Sequence, residues 1–170
     1  MAGQLIQVAT NTVTSAVASV TLTGIDSDDV YMVAVNNATP SVDTNELRMR
    51  FTVSGTAQTT SNYDWATKFL RASTSFTNDS DIDQTGTRAL NNIGTDTGEN
   101  SNAIYYLYNF NDSSEFSFVS IENTGHNGSE NRGFQGGTIY TVAETHDGVQ
   151  FYNHQGNNIS SGTFTLYKVV

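Results

Sequence analysis

The chain contains no cysteine and a single proline, Pro40, in 170 residues. Without cysteine no disulfide staples the fold and thiol chemistry is excluded. Basic residues are also scarce: 7 Lys and Arg stand against 17 Asp and Glu, a formal net charge of −10. Nucleic-acid binding needs clustered cations to neutralise phosphates, so that partner class is not expected. The same deficit argues against docking on an anionic membrane. No window approaches the roughly 18 consecutive apolar residues that mark a spanning helix. The start, MAGQLIQVAT, has neither the basic nor the apolar region of a secretory signal, so folding in a cytoplasm is expected. Asn-x-Ser/Thr triplets such as Asn78-Asp79-Ser80 are accordingly read as chance matches in a polar chain.

About a third of the residues are Asn, Ser or Thr, well above ordinary usage. Aromatics nevertheless make up 11%, which is not the composition of a disordered chain. The length suits one domain, 1–170, large enough to bury a core. Strand-forming residues dominate and helix formers are few. Leu47–Ser54 alternates most clearly, with Leu47, Met49, Phe51 and Val53 on one face and Arg48, Arg50, Thr52 and Ser54 on the other. Leu5–Ala9, Ala16–Thr23, Val30–Val35, Tyr63–Ala72, Ala103–Phe110, Glu115–Glu122 and Phe134–Val142 read as further strands, although Tyr63–Ala72 alternates less cleanly and its length also permits about two and a half helical turns. Within the last of these, Gly136-Gly137 predicts a bulge or a close backbone approach. Val149–Tyr152 and Thr163–Val170 read as a closing hairpin around the turn-rich Asn153–Gly162. Asn36–Asn45, around Pro40, reads as a loop, and 73–102 as a long polar excursion with a helical turn or short strand at Thr87–Ile93. About nine short strands without a long helix predict an all-β fold: a two-sheet antiparallel β-sandwich, jelly-roll-like.

No constellation of catalytic type emerges, and no enzyme activity or cofactor is expected. Asp79, Asp81 and Asp83 have the opening spacing of a calcium loop. The pattern then fails at Gln84 and Leu90, where glycine and glutamate are required, so a solvated acidic loop is expected and no metal. His126, His146 and His154 are scattered without ligand spacing and read as surface loop residues. No Gly-x-Ser-x-Gly elbow, phosphate loop or dinucleotide fingerprint occurs. Arg48 and Arg50 could grip an anion, but a solvated strand face is the more economical reading. Trp65, Tyr105, Tyr106 and Tyr108 could stack on sugars, although strand aromatics more often belong to cores or interfaces.

Three strands, Val30–Val35, Ala103–Phe110 and Glu115–Ile121, present apolar side chains on both faces. One sandwich has one core, so their outward faces need another cover. That cover is either the 73–102 excursion or another subunit, and an interface is expected at Tyr105, Tyr106, Leu107, Tyr108, Phe110, Phe116 and Phe118, joining copies into a symmetric dimer or trimer.

Three stretches carry a resemblance: ASVTLTGIDSDDVYMVAVNN, NAIYYLYNFNDSSEFSFVS and SSGTFTLYKVV. With its Met-Ala start, the Gly-Ile-Asp-Ser turn before a Val-Tyr strand and the Ser-Gly-Thr-Phe-x-Leu-Tyr ending, the chain resembles a family of small structural proteins of tailed phages, especially marine and cyanobacterial ones. Lys168 stands where that family has glycine. The resemblance spans most of the chain outside 73–102 and implies a virion component without catalytic or cofactor residues. It suggests a capsid decoration protein on the outside of the head, bound to the major capsid or another virion protein. A tail-associated protein that binds a host-surface glycan is the alternative.

Overall fold

Alternation at period two becomes two layers of antiparallel sheet, with no helix among the described residues. The computed structural model describes residues 3–73 and 76–170. The Met-Ala start, and Thr74 and Ser75 of the polar stretch, lie outside them. Among the described residues thirteen strands form in place of about nine: β1 (Leu5–Val13), β2 (Ser19–Thr23), β3 (Tyr31–Pro40), β4 (Asn45–Val53), β5 (Thr56–Ala57), β6 (Tyr63–Arg71), β7 (Thr77–Gln84), β8 (Thr87–Ile93), β9 (Ser101–Tyr108), β10 (Ser117–His126), β11 (Asn131–Tyr140), β12 (Gly148–Asn153) and β13 (Ile159–Val169). The large sheet has eight strands in the order β1-β13-β3-β9-β10-β11-β6-β7. The small sheet runs β2-β12-β4-β5, and β8 also pairs with β4. This is a sandwich, though a jelly roll has eight strands in all and this division is eight and five.

Each strand turns its apolar set toward the other layer. Leu47, Met49 and Phe51 of β4 are fully buried, as are Val149 and Phe151 of β12. Opposite them lie Val33 of β3, Tyr105 and Leu107 of β9, Tyr63 of β6 and Phe164 of β13. Phe151 joins the layers, its ring 5.6 Å from that of Tyr105 and 5.1 Å from that of Phe164. At one end Phe51 packs on Tyr63, Phe110 and Tyr140, with centroids 4.5 to 5.7 Å apart.

Three expectations change, and a fourth resolves to one of its two alternatives. The polar stretch 73–102 is mostly strand: β7 forms an edge of the large sheet and β8 joins the small one. Ala89, Leu90 and Ile93 of β8 are buried, so three apolar side chains in a polar run suffice to dock it. β3 continues to Pro40 through a bulge between Val35 and Ala38, where Asn37 takes a left-handed φ of 51°. β12 and β13 are not a hairpin; they lie in different sheets, and the loop between them crosses from one to the other. Gly136 and Gly137 stay in unbroken register with both β6 and β10. The close approach is real, because a Cβ on Gly136 would run into the Ala66 carbonyl oxygen.

Candidate association surface

The interface residues expected from β9 and β10 divide between the two faces of the large sheet. Tyr105 and Leu107 point into the sandwich and are fully buried, so neither can meet a partner. The Tyr105 hydroxyl donates to the Ala89 carbonyl of β8 at 2.7 Å. Phe110 is also in the core. Alternation would place it with Tyr106 and Tyr108, but Asn109 adopts a φ of 59°, and a left-handed residue breaks the period-two rule. Tyr106, Tyr108, Phe116 and Phe118 remain at the surface, 37 to 42% exposed, and Ile104 joins them at 44%.

Strand pairing extends this cluster across the outer face. Tyr106 lies opposite Met32 of β3 and Ser120 of β10; Ser120 faces Gly137, Gly137 faces Ala66, and Ala66 faces Ser80. Those small residues make a trough. The adjacent row places Tyr108 opposite Phe118, and Phe118 opposite Ile139. With Ile82 of β7 they enclose an open groove of about 520 Å³. Exposed apolar surface gathered in one place, rather than scattered singly, is what marks an association site. Periodicity alone could point to Ile104, since it shares a face with Tyr106. It could not point to Ile82, Ala66 or Gly137, which enter only through the order of strands.

The other candidate residues are engaged internally. Arg48 is buried and pairs with Glu46 at 2.9 Å; Arg50 donates to the Thr85 carbonyl at 2.8 Å and lies 3.9 Å above the Tyr152 ring. This strand face is therefore covered rather than solvated. Trp65 is buried beneath the Arg88 guanidinium, which in turn pairs with Asp79 at 2.6 Å, so Trp65 cannot stack on a sugar. Asp79 and Asp81 sit on strand β7, not in a loop, and their alternate spacing is the strand's own period. Among the described residues no three His, Asp or Glu side chains converge as a metal site would require.

His126 and His154 are exposed, but His146 is fully buried, contrary to the surface placement expected for all three. Its ring packs edge-on against Phe51 and Tyr140, and its Nδ1 lies 2.9 Å from Ser117 Oγ. Ser117 Oγ–H donates to the Asn109 carbonyl at 3.3 Å, which leaves its oxygen to accept from Nδ1–H. Nε2 is then a bare acceptor with no hydrogen-bond partner, 3.6 Å from Glu144. Burial pushes the imidazole pKa down to about 4, against the opposing pull of Asp147. Ser117 and His146 are both closed to solvent, so this Ser–His–carboxylate array has no route for a substrate. It ties the loop after β11 to the core.

No protein-family model matches the chain, and no curated protein matches it in sequence.

Proposed function

We propose that this chain is a structural component of a phage virion, most simply a decoration protein on the outside of the head. The observation that carries the reading is the stripe of Ile104, Tyr106, Tyr108 and Phe118 on the outer face of the large sheet, with Phe116 exposed just before β10. An acidic, otherwise polar protein has no use for such a stripe unless something covers it. Burial of roughly 800 Å² per partner is ordinary for a specific contact, and the natural partners are the major capsid protein, another virion protein or further copies of this chain. The resemblance to tailed-phage structural proteins supports the same conclusion. The protein works by filling and bridging surfaces, without a reaction or a cofactor.

Copy number tests the reading. Gel densitometry of purified virions should find on the order of hundreds of copies per particle, as the symmetry of a shell implies. A dozen or so copies would place the protein in the tail, and absence from the particle would end the proposal. The exposure of flat tyrosines beside Ser120 and Glu122 favours one second reading, a tail protein that binds a host glycan. Under that reading Tyr106→Ala leaves the fold intact and lowers adsorption to host cells.

A further inference from the structure

The two ends of the large sheet are built differently. β7 at one end carries Asp79, Asp81 and Asp83 within eight residues. Charges on an edge strand are a standard means of preventing strand addition. β1 at the other end is nine residues long, LIQVATNTV, with no charge and no proline. The edges of the small sheet are short, five residues in β2 and two in β5, or carry a charge, as β8 does with Arg88. The uncharged region is wider than the strand: the first charged residue of the whole chain is Asp26. Two copies of a molecule with net charge −10 repel least when they meet at this flank.

β1 is also tied along its length to β13. Thr10 and Thr12 bond across to Thr165 and Thr163 of β13, at 2.9 and 3.3 Å. Val170 N–H bonds toward β1 and Val169 N–H toward β3, so along β13 the even-numbered residues face β1. Asn11, in register with Phe164, therefore spends its backbone groups inward, while Thr10 and Thr12 aim theirs outward. Among the described residues nothing pairs with that outer side. A bulge separates Gln7 from Ala9, which leaves Ala9–Val13 as the regular run.

We propose that this run is a docking edge for a second copy of the chain, with two β1 strands pairing antiparallel so that the two large sheets become continuous. A two-fold axis at Asn11 sets Thr10 of each copy against Thr12 of the other, both with outward backbone groups. A self-complementary pairing closes at two copies, whereas joining β1 to the acidic β7 edge of a neighbour would repeat without end. This contact is separate from the aromatic stripe and does not rest on the virion reading.

Sedimentation velocity across a concentration series tests it. The wild-type mass should rise from 18.4 kDa toward twice that value. Asn11→Lys, which sets like charges across the axis, and Thr12→Pro, which removes an outward N–H, should each hold the protein at monomer mass with an unchanged circular dichroism spectrum. Tyr106→Glu should leave the dimer intact. A wild-type mass of 18.4 kDa at the highest soluble concentration overturns the proposal. So does a dimer that Tyr106→Glu breaks and Asn11→Lys does not.

Discussion

His146 shows how much one side chain's surroundings decide. In sequence it is one of three isolated histidines, and nothing nearby distinguishes it. In the fold Phe51, Phe110 and Tyr140 surround it and hold it neutral. Its folded pKa, about 4, lies below the ordinary 6.5, so the unfolded chain takes up the proton first as pH falls. The stabilisation is complete above pH 6.5 and is lost progressively down to about pH 4, a total of about 3 kcal/mol from the two values. Urea midpoints measured through that window should fall steadily, and His146→Asn should flatten the slope while lowering the neutral-pH midpoint. Tyr63 gives a second residue-scale expectation. Its hydroxyl accepts from Phe51 N–H at 2.9 Å and donates to the Gln58 carbonyl at 3.1 Å. Tyr63→Phe strands a buried N–H and should cost about 1–3 kcal/mol in chemical denaturation.

At the scale of elements, strands with clean apolar alternation were legible and polar ones were not. β4, β6, β9 and β10 each declare a buried face through large residues at alternate positions. β7 has only Ile82, which is exposed, and forms because β6 offers it a ladder from Phe69 to Tyr63. Its cause lies in another strand, so its own residues do not announce it. β3 likewise runs past Asn36 and Asn37 because β13 pairs with it as far as Pro40. The glycine pair in β11 has an element-scale role. Gly136 lets β11 lie against β6 where Thr67 and the Ala66 carbonyl leave no room for a side chain. Gly136→Val should force that contact apart and lower stability by about 1–3 kcal/mol, read as a lower thermal midpoint.

For the whole molecule, the aromatic stripe should serve contacts with other proteins and contribute little to the fold. Phe118→Glu alters a side chain that is 42% exposed, so the denaturation midpoint should move by less than about 0.5 kcal/mol. Under the virion proposal its incorporation into particles should be lost, and normal incorporation would remove the stripe from the association surface. Composition and alternation by themselves determined the all-β class, the antiparallel strands and the common face of Leu47, Met49 and Phe51 in β4. Those follow from period two, a property of neighbours along the chain. Tertiary structure alone decided that Tyr106, Tyr108 and Phe118 face outward while Tyr105, Leu107, Phe110 and His146 are core, that β7 exists, that Thr87–Ile93 is a strand of the small sheet rather than a helical turn, that β12 and β13 part into different sheets, and that β1 is a sheet edge. Each depends on which strand lies beside which. Pairing partners such as Thr10 and Thr165 stand 155 positions apart, and no local pattern in the chain encodes a contact of that range.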